Sequence, residues 1–389
     1  MTVEVRPLGV RCNIACCYCY QHSQRAAGPL RLCYDMSLMK TALQQAHHKF
    51  TLFGGEPLLL PEEDLEDLWS WGFEKFGSNS VQTNGTLVND RHLRMFKQYR
   101  VSVGVSCDGP GEMNGFRWAG SLRATRQATE RTLQTIEQLC QAGIPPSIII
   151  TLHRNNATTD KLPVLFEWLR SLEQMGVRSV RLHILEVDDS KARAQCELTV
   201  EENMQAFLFL AHAMKRLHTL RFDVFTDIRE ILIGKDRNTT CIWGACDPYT
   251  TSAVSGIEGH GQKSNCGRTN KDGIDFVKAD TPGYERYLAL FHAAQEDGGC
   301  RGCRFFVMCK GQCPGTAIDG DWRNRTEHCA IWKALFEFFE EQLLAEGKTP
   351  ISLHQQRPNL ENWFIASWTM GNNPRMESYL EKHRSCFEN

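Results

Sequence analysis

The chain has 389 residues, 42% of them apolar, which is enough for one large domain or a large one with a smaller companion. Lys+Arg 44 against Asp+Glu 46 leaves a net charge of −2, so composition shows no general nucleic-acid footprint. The anomaly is 17 cysteines, an odd number at clustered short spacings, which fits metal ligation better than a disulfide framework. Met1 to Gly9 has no signal-peptide pattern, and no run approaches the ~20 apolar residues of a membrane helix. A cytoplasmic protein that binds neither membrane nor nucleic acid is expected.

In chain order, Val3–Leu8 reads as a short strand running into Cys12-Asn13-Ile14-Ala15-Cys16-Cys17-Tyr18-Cys19. Thiolates at Cys12, Cys16 and Cys19, spaced Cys-x3-Cys-x2-Cys, suit one cube of four irons and sulfide. Each takes one iron, and the fourth iron stays open for something that reacts. Three other readings of the loop stay open: zinc, which wants four ligands in close pairs; disulfides; and a register shifted through Cys17. With an aromatic residue before the last cysteine, the loop resembles the signature of the radical S-adenosylmethionine (SAM) enzymes. That resemblance implies a [4Fe-4S] cluster on Cys12, Cys16 and Cys19 whose open iron chelates the amino and carboxylate groups of SAM. Reductive cleavage would then release a 5′-deoxyadenosyl radical that abstracts a hydrogen atom from substrate.

Strand-like and helix-like segments alternate from there. Helices are predicted over Asp35–His47, Glu62–Phe76, Asp90–Tyr99, Ala124–Ala142, Lys161–Met175 and Val200–Leu217. Strands are predicted at Phe50–Phe53, from Ser80, at Val101–Ser106, Ser147–Leu152 and Val180–Leu185. Six strands each followed by a helix imply an α/β fold with a parallel sheet, a partial (β/α)6 barrel with its chemistry at the carboxyl ends of the strands. The unusual motifs fall there: the cysteine loop, Gly54-Gly55-Glu56-Pro57, Gln82-Thr83-Asn84-Gly85, and Ser106-Cys107-Asp108-Gly109-Pro110.

Gly54 and Gly55 remove side chains and let a ligand approach the backbone. Glu56 suits a cationic amino group, Ser106 and Asp108 lie on one side of an extended strand and suit a ribose diol, and Arg117 suits a carboxylate. Taken singly, each Gly-rich stretch also reads as a plain turn. Together they resemble the SAM-binding elements of the radical SAM family. The resemblance implies Tyr18 and Leu185 near adenine, Glu56 at the methionyl amino group, Ser106 and Asp108 on the ribose, and Arg117 at the carboxylate. Gly54, Gly55 and Asn84 complete the implied SAM contacts. It covers most of residues 1–220.

Beyond Gly234 helical periodicity fades, and Gly, Asp, Asn and Thr dominate Asp236 to Gly283. Cys241, Cys246 and Cys266 lie in that run, followed by Cys300-x2-Cys303-x5-Cys309-x3-Cys313 and Cys329. The order resembles the SPASM domain of radical SAM enzymes, which carries two auxiliary [4Fe-4S] clusters; paired structural zinc sites are the competing reading. The resemblance implies Cys241, Cys246, Cys266 and Cys313 on the first auxiliary cluster and Cys300, Cys303, Cys309 and Cys329 on the second. Cys17, Cys33, Cys107, Cys140, Cys196 and Cys386 default to structural roles. Gly256 to Ser264 lacks the Gly-Lys pair of a phosphate loop, and His47-His48 reads as a solvated helix end. Ile331–Leu344 is expected to be a helix packing this module on the barrel, with Leu335, Phe338, Phe339 and Leu343 inward. Trp363, Phe364 and Trp368 are expected in a core or cap. Domains are expected at 1–235 (barrel), 236–335 (SPASM) and 336–389 (helical extension).

SPASM-bearing relatives mostly act on peptides or proteins, and auxiliary clusters give an electron a way out, favouring net oxidation. The first half is similar to anaerobic sulfatase-maturing enzymes, which make formylglycine. Those enzymes carry an Asp base directly after the cysteine matching Cys266, where this chain has Gly267 and then Arg268. A maturase of a ribosomally made peptide is therefore expected, forming a cyclophane or thioether cross-link; formylglycine formation or small-molecule dehydrogenation are the alternatives. The base is unassigned, Asp319, Asp321 and Glu327 being nearby carboxylates. Eleven residues before Cys12 are too few for a leader-binding domain, so the precursor is expected in the barrel mouth and against the SPASM face, or presented by a separate protein. Flavodoxin or ferredoxin is the expected reductant.

Overall fold

Each apolar strand expected in the first half forms and pairs in parallel with the next. The structure, a computed structural model, describes residues 3–21, 34–246, 251, 254–269, 283–384 and 387. Two compact units emerge: Met1–Phe222 with Val254–Phe276, and Asp223–Ala253 with Val277–Asn389. The border expected at 235 falls inside the second unit, and Cys266, grouped by sequence with the later cysteines, lies in the first. Cys33 and Cys386 lie outside the described residues. No disulfide joins the cysteines that are described.

The first unit is built on a 9-stranded sheet in the order β7-β6-β5-β4-β3-β2-β1-β8-β9. Strands β1 (Val3–Arg6), β2 (Phe50–Leu52), β3 (Asn79–Thr83), β4 (Val101–Ser106), β5 (Ser147–Leu152), β6 (Ser179–Ile184) and β7 (Arg221–Phe222) are all parallel. Sequential neighbours with a helix between them are what right-handed crossovers produce when each strand is added on the same side. Period-two burial of Val101, Val103 and Val105, and of Ile148, Ile150 and Leu152, turns one face of the sheet into core. The helices cover it: Glu62–Phe76 buries Leu65, Leu68 and Trp69, and Leu162–Met175 buries Leu165, Phe166, Leu169 and Leu172. Their ends follow local signals, such as Asp35 and Ser121 as N-caps and Gly77 and Gly176 as left-handed C-caps.

The sequence did not lead one to expect β8 (Ser255–Glu258) and β9 (Lys263–Ser264). β8 adds to β1 in parallel and β9 returns antiparallel. Arg6, 2% exposed, pins this hairpin by an ion pair with Glu258 at 2.6 Å and a donated bond to Ser264 Oγ at 2.6 Å.

In the second unit the helix Cys329–Ala345 buries Ile331, Leu335, Phe336, Phe339 and Leu343, and packs Phe339 on Phe225 of the helix Asp223–Leu232. Phe338, expected inward, is half-buried. Phe364 and Trp368 of the helix Arg357–Thr369 are buried beside Tyr287 and Phe306, in the core role expected of them. Among the described residues no helix is long and apolar enough to cross a membrane.

Candidate active site and thiol centres

Cys12, Cys16 and Cys19 open onto one cleft of about 990 Å³ at the carboxyl ends of the strands, with Gly54, Gly55, Gln82, Asn84, Ser106 and Arg117 around it. Cys17 does not line it; like part of Cys16 it packs against Tyr18, Leu185 and Cys196 in an apolar cluster, so of the loop's four thiols the three that reach the cleft are Cys12, Cys16 and Cys19. The loop's backbone is held from outside, with Ala15 N donating to Trp118 O at 2.6 Å and Cys17 N to Phe116 O at 2.7 Å. Burial pushes the Cys16 thiol up to about 12, with Arg117 opposing and Cys19 and Cys12 adding to the rise. Such thiols give up their protons to a metal rather than to water. Three soft donors at one cleft wall, with no fourth protein ligand in the loop, fit a site-differentiated iron–sulfur cluster.

Gly54 and Gly55 line the cleft, but the reason for glycine is different from the one expected. A Cβ at Gly54 would stand 2.4 Å from Gly9 O, and one at Gly55 only 1.9 Å from Arg11 O. The pair lets the β2 loop dock against the cysteine loop, sealed by Gly55 N to Gly9 O at 3.0 Å and Glu56 N to Arg11 O at 2.8 Å.

Glu56, expected at an amino group, is buried and does not line the cleft. Its carboxylate accepts from Leu58 N, Thr83 Oγ1 and Asn84 N, so it orients the loop after β3. Asn84 in turn donates to Asn13 Oδ1 at 2.8 Å and reaches Cys12 Sγ at 3.8 Å. Burial raises the Glu56 carboxyl from its ordinary 4.5 to about 7, against its hydrogen bonds, which lower it. Between those values the folded chain holds a proton that the unfolded chain has lost. Stability therefore falls as pH rises through that window. Glu56→Gln is expected to remove this slope, up to about 3 kcal/mol, in urea titrations at pH 5 and pH 8; an unchanged slope would exclude the raised carboxyl.

Asp108, expected on a ribose with Ser106, is 0% exposed and lies behind the cleft wall. Tyr18 Oη donates to Oδ2, Thr151 N to Oδ1 at 2.9 Å, and His153 Nε2 stands 3.3 Å from Oδ2. Arg117 supplies Nη2 to Oδ1 at 3.1 Å and Nε at 3.0 Å from Oδ2. Burial alone would push the carboxyl up; Arg117, His153 and Tyr18 outweigh it and hold it well below the usual range. Asp108 thus anchors Arg117, which lines the cleft, while Tyr18 and Leu185 share the adjoining apolar cluster. Ser106 does line the cleft and accepts from Gln82 Nε2 at 2.9 Å.

Sequence reasoning missed the far wall. Arg268 lines the cleft, donating from Nη1 to Glu186 Oε1 at 2.6 Å and from Nη2 to His183 Nδ1. Burial first, then Arg268 and Arg181, push the His183 pKa well below its ordinary value, so the ring is neutral. Glu186 is the one carboxylate lining the cleft among the described residues. His153 and Glu186 follow β5 and β6, the strand-end position that marked the other loops; Arg268 carries no such signal. At Gly267, where the sulfatase-maturing pattern has an aspartate, a Cβ would meet Tyr20 Oη at 2.8 Å, so a side chain there would have to displace Tyr20.

In the second unit Cys300, Cys303, Cys309 and Cys329 surround a separate cavity of about 460 Å³. Burial pushes Cys300 up to about 12 and Cys309 well above its ordinary value. Cys329 opens the helix Cys329–Ala345, where unpaired N–H groups favour negative charge. Arg325 also lines this cavity, and its Nε is buried with no hydrogen-bond partner. Four thiols and an orphaned donor fit an anionic tetrathiolate cluster. Among the described residues no three His, Cys, Asp or Glu side chains are grouped to hold a single ion. Cys241, Cys246 and Cys313 lie in this unit and Cys266 in the other. Asp319, Asp321 and Glu327 lie in this unit too, and none of them lines the first cleft.

Residues 7–169 match the Radical SAM superfamily. The chain is 20% identical over 378 residues to a cysteine-type anaerobic sulfatase-maturating enzyme of Clostridium novyi, covering 88% of this chain and 95% of that protein. Its fold is similar to native anSMEcpe with bound AdoMet and Kp18Cys peptide, with a TM-score of 0.67 at 19% identity over 88% of this chain and 98% of that one. It is also similar to Streptococcus suis SuiB bound to precursor peptide SuiA, with a TM-score of 0.56 at 14% identity over 84% and 75%. With three cysteines spaced Cys-x3-Cys-x2-Cys at the mouth of a parallel sheet, and with these matches, the chain carries a radical SAM domain over residues 7–169.

Proposed function

We propose that the protein is a cytoplasmic SPASM-type peptide maturase that binds SAM and oxidatively cross-links side chains of a ribosomally made precursor. The observation that carries this reading is the cleft's lining: Cys12, Cys16 and Cys19 share it with Glu186 and Arg268, with no side chain possible at Gly267 without displacing Tyr20. Two solved structures of the same fold are described with bound peptides, which supports a peptide as substrate here.

Cluster-bound SAM, on one-electron reduction, supplies a 5′-deoxyadenosyl radical able to take hydrogen from an unactivated carbon. The residues of this chain position and exclude. Gln82 and Ser106 offer polar contacts, Phe53, Ile149 and Ile184 keep the wall apolar, and Arg117 is fixed by Asp108. Forming a bond by net loss of two hydrogens also requires one proton and one electron to leave the peptide. Glu186, ion-paired with Arg268 at 2.6 Å, takes the proton on its carboxylate. The iron–sulfur group that Cys300, Cys303, Cys309 and Cys329 would hold would accept that electron, and flavodoxin or ferredoxin is the external reductant that would supply the one used in SAM cleavage.

Co-expression with the short open reading frames beside the gene, followed by mass spectrometry, tests the reading. A precursor lighter by two hydrogens, with 5′-deoxyadenosine formed, is expected. Conversion of a sulfatase-derived Cys or Ser peptide to formylglycine would replace it, as would turnover of a small molecule with no peptide present.

A further inference from the structure

The thiol cavity of the second unit has a charge pattern of its own. Arg286 is 1% exposed and spends its guanidinium on four backbone carbonyls, those of Trp322, Lys310, Gly311 and Asn324. Arg325 is tied through Nη1 to the carbonyls of Gln295 and Gly299, the latter at 2.9 Å. Among the described residues neither is paired with a carboxylate, and both act electrostatically on Cys300. Arg286 is interior and Arg325 half-buried, and cations so placed without a counter-charge are costly, which favours an anion close by. A four-iron cube held by four thiolates is such an anion, and gaining an electron makes it more negative.

The orientation of Arg325 adds a second observation. With Nη1 held by carbonyls, its Nε–H is buried and finds no partner in the protein, and the residue lines the cavity. Buried donors are rarely left unmade, and a sulfur of the cluster is the acceptor this cavity would provide. Hydrogen bonds to cluster sulfurs and nearby positive charge both favour the reduced form.

We propose that Arg325 sets the reduction potential of the iron–sulfur group on Cys300, Cys303, Cys309 and Cys329, raising it by donating Nε–H to one of its sulfurs and by placing a cation beside it. This rests on the reading of those four cysteines as cluster ligands. The consequence is directional. A raised potential makes this group the one that draws the electron away from the peptide, rather than a store that delivers electrons to the first site.

The test is a redox titration of the anaerobically reconstituted full chain, followed by electron paramagnetic resonance with iron counted in each sample. A Cys300→Ala/Cys303→Ala variant identifies the signal that belongs to this group. In Arg325→Gln that signal is expected to shift to more negative potential while the others stay in place and the iron content is unchanged. Arg325→Lys, which keeps a charge but loses Nε–H, should shift it less in the same direction. An unmoved midpoint in Arg325→Gln at full iron content overturns the proposal. If Arg325→Gln loses iron, Arg325→Lys decides, and an unmoved midpoint there overturns the hydrogen bond. Wild-type iron content in Cys300→Ala/Cys303→Ala would instead overturn the ligand reading beneath it.

Discussion

Replacing Cys12, Cys16 and Cys19 together by alanine is expected to reduce SAM cleavage to the level of a protein-free control, with the far-UV circular dichroism unchanged. The fold tolerates the change because the loop is not held by its thiols. Ala15 and Cys17 donate their backbone N–H groups to Trp118 and Phe116, and Asn13 bonds Asn84 and Thr86. Chemistry does not tolerate it on the proposed reading, in which these three thiols hold the cleft's iron–sulfur cluster. Iron should drop by one cluster's share, while the thiol cavity of the second unit keeps its own. Cys17→Ala is the internal control. Cys17 packs against Tyr18 and Leu185 and does not itself line the cleft, so cleavage should persist. Appreciable 5′-deoxyadenosine from the triple variant, measured by chromatography, would remove the radical SAM mechanism from this protein.

Arg117→Met is expected to cost about 3–5 kcal/mol of folding stability at pH 7, among the largest effects of any single substitution outside the core. Methionine preserves most of the volume but leaves the Asp108 carboxylate, 0% exposed, without its counter-charge. Asp108→Asn in the same background should recover much of the loss, because a neutral amide no longer needs the guanidinium; the double-mutant cycle isolates the pair. The pH dependence has a definite sign. The Asp108 carboxyl is held below its ordinary 3.8 in the folded chain, so the wild type has this stabilisation above that value and loses it as pH falls. Without Arg117, burial raises the carboxyl instead, and the deficit of the variant should shrink from pH 7 to pH 5. A deficit that is constant over that range in urea unfolding would mean that packing, not charge, holds the site together.

The far wall shows where reading by residue type stopped. Glu186 and His153 stood at strand ends, where the other loops were found, yet neither belongs to a short motif. Glu56 and Asp108 carried the right chemistry for a ligand but are turned inward, one to the loop after β3 and the other to Arg117. A carboxylate in a strand-end loop is legible from sequence. Whether it faces ligand or protein depends on which N–H groups and cations the neighbouring loops and strands bring up, and these include residues as far away in the chain as Thr83 from Glu56 and His153 from Asp108.

By itself the sequence determined the alternating strands and helices, because period-two runs such as Val101–Ser106 and amphipathic helices such as Glu62–Phe76 encode burial locally. It also determined the triple of cysteines, because ligands three and four residues apart in one loop need no distant partner. Only the tertiary structure decided that Ser255–Glu258 joins the sheet, since a four-residue strand containing glycine gains its stability from pairing with Val3–Arg6 and from the Arg6–Glu258 ion pair. Arg268 shares the cleft with Cys12 and Cys16 for the same reason: contacts between segments far apart in the chain are set by packing, and no local pattern records them.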